Sequence, residues 1–196
     1  MPRTVRKQGS RRLGRTLFVI PVLLVIGIVA FGLVSAWLNS TGTLVVEAQS
    51  SYGGVTSPLL AVATVSTTTG HTPYNVTLNP GSFTVTYSQL EWYHTPPPTA
   101  VVVLGGKTAY SIGIYTPIAS VISVTSVGFN SSRSTAKHGV TPVVWIDAST
   151  KAVQIESGSF NAVIAPGQNY TRIFQAASNM TVTLLGTGSK MTVNVI

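Results

Sequence analysis

The chain has 196 residues, of which 12 are Lys or Arg and 4 are Asp or Glu, so only 8% are charged where soluble proteins carry about a quarter. Four carboxylates, three histidines and no cysteine leave few groups for acid–base, nucleophilic or metal chemistry; the composition argues for a non-enzymatic protein with no cofactor, no metal and no small-molecule substrate. The net charge of +8 is mostly a tail, because Arg3, Arg6, Lys7, Arg11, Arg12 and Arg15 supply six positive charges and the remainder carries +2, without the basic, aromatic-studded face that binds nucleic acid.

Residues 1–15 form this basic tail. Residues 17–38 then run for 22 positions without a charge. As a helix they would cover about 33 Å, slightly more than a bilayer core of roughly 30 Å. The sequence therefore predicts a single transmembrane helix over 16–38, with the lipid bilayer as its partner. Pro21 falls near its start, where a missing N–H costs little, and Trp37 at its far end, where an indole suits the interface. Six cations on one side put the N-terminus in the cytoplasm and everything after Asn39 outside the plasma membrane. Three rivals share the segment. A cleaved signal could end near Val34-Ser35-Ala36, but the apolar run exceeds the usual length. Ser10-Arg11-Arg12 resembles a twin-arginine signal, yet Gly14 and Arg15 stand where apolar residues belong. A pilin-type leader cut after Gly14 would leave Arg15-Thr16, a poor fit.

Beyond residue 39 the apolar period changes to two, and no helix is needed. Strands are expected at 43–47, 74–78, 82–87, 99–104 and 108–112, then at 141–146, 152–156, 161–164, 170–174, 180–185 and 191–195. Pro80-Gly81 and Pro166-Gly167 both suit a type II turn, and each is expected to close a hairpin. The polar stretch 128–139 reads as a linker, with the boundary just before it near residue 119. The expected architecture is an all-β ectodomain of two small β-sandwich modules, 39–119 and 120–196, on one transmembrane helix.

Five of eight asparagines open an Asn-x-Ser/Thr sequon, more than 47 Ser and Thr in 196 residues would give by chance. Asn39 is too near the membrane for a transferase, so Asn75, Asn130, Asn169 and Asn179 are the glycosylation candidates. Glycans would keep a charge-poor domain solvated. Few carboxylates also link little folding free energy to protonation, so stability should vary weakly at low pH. That suits an acidic exterior, and an archaeal surface is the expectation.

Most chemical motifs dissolve on inspection. His71, His94 and His138 are 23 and 44 residues apart, with no pairing that would aim two imidazoles at one metal. Gly105-Gly106-Lys107-Thr108 looks like the end of a phosphate loop, but Val101 stands where its first glycine should, and the surroundings read as a hairpin. Ser134-Thr135-Ala136-Lys137 fits S-x-x-K without a companion motif, in the linker. One segment is retained. Trp92, Tyr93, Pro96, Pro97 and Pro98 could form a rigid interaction patch, or the aromatics could cap the sandwich while the prolines protect an edge strand.

Residues 42–116 resemble a PEGA-type module: Gly42-Thr43-Leu44-Val45-Val46, Thr72-Pro73, Asn75-Val76-Thr77-Leu78, then Asn79-Pro80-Gly81-Ser82-Phe83-Thr84-Val85, Trp92-Tyr93 and Ala100 to Thr108. The pattern departs at 66–70, where an Asp-Gly turn would be typical. The resemblance implies a small non-catalytic surface sandwich. Residues 120–196 are similar to a cupredoxin through Val144-Trp145-Ile146-Asp147, Ala152-Val153-Gln154-Ile155, the stretch 164–171 and a last hairpin ending at Val195. Copper in that fold needs two His and a Cys, often with an axial Met. Lys151 stands where the first His would be and Leu184 where the Cys would be, while Met191 has no partners, so the resemblance implies a fold without its metal. Three functions are consistent with this. The first is an anchored cell-envelope protein binding other membrane, envelope or surface-layer proteins. The second is a metal-free accessory subunit of a membrane redox complex, in the subunit-II position of some quinol oxidases, and the third is a pilin-like or strand-exchange filament subunit.

Overall fold

The computed structural model describes residues 13–38 and 40–196. The tail up to residue 12 and Asn39 lie outside the described residues. Helix α1 spans Leu13–Leu38, so it begins three residues before the expected start at 16 and takes in Gly14 and Arg15. Pro21 consequently falls well past the first turn, not near the start, and removes an internal N–H donor. Side chains are described for residues 22–35, and 22–34 are exposed. Over the residues whose side chains are described, which are 22–35 of α1, no helix is long and apolar enough to cross a membrane, and the rest of the uncharged run 17–38 lies outside them.

The next nine strands are β1 (Gly42–Tyr52), β2 (Val55–Pro58), β3 (Val62–Val65), β4 (Thr68–His71), β5 (Tyr74–Leu78), β6 (Gly81–Tyr87), β7 (Tyr93–His94), β8 (Thr99–Val103) and β9 (Thr108–Pro117). They make a β-sandwich. In one sheet β1 pairs antiparallel with β5 and β2 along one edge and parallel with β9 along the other, and β7 adds a short rung to β9. The facing sheet runs β4-β3-β6-β8. Alternation along β1 turns Leu44, Val46 and Ala48 inward, where they meet Ala63, Val65, Val85, Tyr87, Val101, Val103 and Tyr115. Gly113 makes room for an aromatic ring: a Cβ there would stand 2.6 Å from Tyr87 Cε1.

Eight further strands follow: β10 (Ser120–Val124), β11 (Arg133–Ala136), β12 (Pro142–Asp147), β13 (Val153–Ser157), β14 (Phe160–Ile164), β15 (Asn169–Ile173), β16 (Ser178–Leu184) and β17 (Lys190–Val195). They form a second sandwich, β10-β12-β15 against β11-β17-β16-β13-β14, with β10–β12 and β11–β17 parallel. Trp145 is fully buried and packs on Phe160, Tyr170 and Phe174 at centroid distances of 5.3, 5.8 and 6.4 Å. The Arg172 guanidinium lies 5.2 Å over the Phe160 ring and 5.5 Å over the Phe174 ring. Every sheet draws its strands from one side of Ile118, and the two cores share no residue.

Four sequence expectations need correction. Pro80-Gly81 closes no hairpin, because β5 and β6 belong to opposite sheets and Gly81, whose φ is not positive, opens β6. Pro166-Gly167 is the expected turn, with Gly167 at φ 72° and Gln168 N–H donating to Ala165 O at 2.9 Å, yet it too crosses from one sheet to the other. At Pro166-Gly167 turn chemistry fixes the local dihedrals and leaves the pairing partner to the packing of the two layers. The supposed linker 128–139 contains β11, which is held by β17 and buries Ala136. Likewise Gly105–Thr108 joins strands of opposite sheets and is no hairpin.

Gly113→Ala should lower stability by about 1–3 kcal/mol, since the added methyl must displace the Tyr87 ring from a packed core. Gly158→Ala, where a Cβ meets nothing within 4 Å, should change it by less than about 0.5 kcal/mol. Chemical denaturation of both variants tests the contrast, and equal effects would refute it.

Candidate functional site

The aromatic–proline segment begins where β6 ends at Tyr87. Tyr93 N–H donates to Leu90 O at 3.3 Å, closing a four-residue turn in which Trp92 takes the third position. Its φ is 71°, a left-handed conformation that a residue with a Cβ adopts at a cost. Trp92 O accepts the Ile118 N–H at 2.8 Å, which ties the turn to the chain leaving β9. Trp92 and Tyr93 are both half-buried. The Tyr93 ring meets Tyr115 edge-on at 6.1 Å, and Tyr115 in turn meets Tyr87 at 6.4 Å. Pro96 is buried, whereas Pro97 and Pro98 are exposed. The face this segment offers to a partner is therefore drawn from Glu91, His94, Pro97 and Pro98 more than from Tyr93 or Pro96.

The tyrosines are held by hydrogen bonds as well as by packing. Tyr115 OH donates to Ser88 O at 2.6 Å, and Tyr87 OH pairs with Ser111 Oγ at 2.9 Å. Burial pushes the phenols of Tyr74, Tyr87, Tyr93 and Tyr115 above the ordinary value of 10.0, and bonds to Ser111, Ser50 and Ser88 partly offset it for the last three.

In the second sandwich, Lys151 and Leu184 line one open cleft of about 520 Å³ together with Ser149, Gln154, Leu185 and Thr187. The pairing of β13 with β16, Ile155 opposite Leu184, brings these distant stretches together. Leu184 is buried and Lys151 exposed, so the cleft joins an apolar floor to an ammonium at its rim. Among the described residues no cluster of three or more His, Asp or Glu could hold a metal, and His71 ends β4, His94 ends β7 and His138 follows β11.

Sequence reasoning missed Asp147, which is buried at the end of β12. Its Oδ1 accepts the Ser149 N–H at 2.8 Å, and its backbone accepts from Gly167 N–H and donates to Gln168 O. Oδ2 and Trp145 Nε1 are buried without a hydrogen-bond partner. The inward phase two residues after Trp145 was the signal that could have found this aspartate.

All four glycosylation candidates are exposed. Asn75 lies on β5 opposite Val45, and Asn179 on β16 opposite Asn194. Asn130 Oδ1 accepts the Ser123 N–H at 2.9 Å, and Asn169 Oδ1 accepts the hydroxyl of Thr171, its own sequon threonine, at 3.4 Å. Ser134, which the S-x-x-K motif singled out, is on β11 with its hydroxyl bonded to Ser120 Oγ, an arrangement between two strands.

No protein family model matches the sequence, and no curated protein does. Among solved structures, the chain is similar to a minor pilin of Streptococcus agalactiae at 15% identity and a TM-score of 0.38, over 41% of this chain and 46% of that one. It is similar to an oxidised mutant of amicyanin at 17% identity and a TM-score of 0.36, over 40% and 82%. It is similar to the Bacillus anthracis TIE protein at 13% identity and a TM-score of 0.41, over 80% and 34%. The chain thus spans less than half the length of the pilin, and likeness at this level identifies no family.

Two outcomes follow from the tyrosine and turn geometry. Folded-state values raised above those of the unfolded chain favour the neutral phenol, so this stability is fully present below about pH 10 and is lost as pH rises through the raised values. Tyrosinate absorbance and circular dichroism should show a delayed, cooperative alkaline transition; ionisation at the free-tyrosine value with structure intact would count against it. At the strained turn, Trp92→Gly should be more stable than Trp92→Ala by about 1 kcal/mol, because only glycine takes φ 71° without strain. Thermal melts of the pair decide this, and an alanine variant equal to the glycine one would refute it.

Proposed function

We propose that this chain is a single-pass membrane protein with its N-terminus in the cytoplasm, whose two β modules stand outside the plasma membrane and bind neighbouring envelope proteins. The observation that carries the reading is continuity: the whole uncharged run 17–38 falls within α1, and only three residues separate the end of that helix from the start of β1 at Gly42. The basic tail before it gives the orientation by the positive-inside tendency. Exposed Asn75, Asn130, Asn169 and Asn179 fit a glycosylated exterior. The scarcity of carboxylates, imidazoles and thiols supports a binding role over a catalytic one. The first module is read as PEGA-like.

A second reading rests on the later sandwich. Counting its own eight strands, the first, third and sixth face the second, eighth, seventh, fourth and fifth. That order, with Lys151 and Leu184 at one cleft in the positions of absent copper ligands, suits a cupredoxin-like domain serving as a metal-free accessory of a redox complex.

Native membranes solubilised in mild detergent, followed by isolation of this chain and mass spectrometry of what travels with it, separate the two. The proposal expects envelope or surface-layer proteins and no bound haem or copper. Stoichiometric haem- or copper-bearing subunits would overturn it in favour of the accessory role.

A further inference from the structure

The end of the first sandwich nearest α1 is built to stay there. Only residues 39–41 separate Leu38 from Gly42, so the two lie within about 14 Å of each other. The turn between β8 and β9 is fastened to this short link: Gly106 N–H donates to Thr41 O and Thr43 N–H to Lys107 O, both at 2.9 Å. Lys107 N–H closes the turn on Leu104 O at 3.1 Å, with Gly106 at φ 67°. Gly42 lies directly beneath, where a Cβ would stand 2.3 Å from Leu104 O and 2.6 Å from Val103 Cγ1. The turn therefore has no freedom to swing away from the start of β1.

What this fixed turn shows to solvent is an apolar side chain beside a cation. Leu104 is 49% exposed, and Lys107 is exposed next to it. The nearest carboxylate along β1 is Glu47, on the rung opposite Ile112 and four rungs up from Thr108. An alkyl group flanked by an ammonium matches the boundary between headgroup and acyl chain, where the apolar part is buried and the charge stays among phosphates.

We propose that the β8–β9 turn of the first sandwich seats on the membrane surface, with Leu104 at the interface and Lys107 among anionic lipid headgroups. The inference rests on α1 spanning the bilayer. A single lysine near an anionic surface favours the seated state roughly fivefold.

The chain has no cysteine, so single-cysteine variants of the full chain carry a fluorophore without background. Leu104→Cys, Gly27→Cys and Val163→Cys would be labelled with an environment-sensitive dye and reconstituted into vesicles of phosphatidylcholine and phosphatidylglycerol. Nitroxide lipids would quench at headgroup or deep-chain depth. The expected result is deep quenching at 27, a blue shift with headgroup-depth quenching at 104, and an aqueous signal at 163. Lys107→Glu in the Leu104→Cys background should reduce the seated fraction at least fivefold relative to the free one. Deep quenching at 27 with 104 as aqueous as 163 overturns this inference and leaves the anchor standing. Absence of deep quenching at 27 overturns the anchor, and this inference with it. Unchanged quenching at 104 with Lys107→Glu removes the role assigned to the lysine.

Discussion

The parallel ladder between β1 and β9 is the constraint on which the first sandwich depends. It runs without interruption from Thr43 opposite Thr108 to Ser50 opposite Tyr115. All the strands from β2 to β8 lie between these two in the chain, so the ladder closes only when everything it encloses has been placed. Its alternation then does two jobs at once. One phase of β1 sends Leu44, Val46 and Ala48 into the core; on β9 the inward phase presents Ser111, Gly113 and Tyr115, which receive the hydroxyl and the ring of Tyr87. Tyr115 passes the contact on to Tyr93, so three tyrosines bind the sheet of β1 to the segment that follows β6.

The second sandwich solves the same problem with different material. Trp145 fills the centre, with Phe160, Tyr170 and Phe174 around it and the Arg172 guanidinium laid over two of those rings. Charge is nearly absent inside both cores. The exception is Asp147, whose carboxylate and backbone hold the Ser149 and Gly167 amides and so brace the crossing between β14 and β15.

Much of this was legible where a strand buries every second residue. Val143 and Trp145, or Met191, Val193 and Val195, give an alternation that needs no tertiary knowledge to find. Six strands escaped: β3 and β10, which bury Ala63, Val65, Ile122 and Val124 but run for only four and five residues, and four that have little to bury. β2 is exposed throughout, β11 buries only Ala136, and β7 is two residues long. Pairing partners were not legible either, because Pro80-Gly81 and Gly105-Gly106 look the same whether the chain turns back within a sheet or crosses to the other. In the candidate segment, composition pointed to Trp92, Tyr93 and the prolines but carried no sign that Pro96 turns inward or that Trp92 sits in a glycine conformation. Lys151 and Leu184 met only once β13 and β16 had paired.

The direction of the β1–β9 ladder also has a mechanical meaning. The chain enters β1 from the helix at Gly42 and leaves β9 toward the second sandwich at Pro117, and the two strands point the same way. Tension applied between the helix and the second sandwich therefore pulls the strands past each other along their length. The rungs from Thr43 to Ser50 share that load in shear, and no single rung at one end must yield first, as it would if the strands were peeled apart.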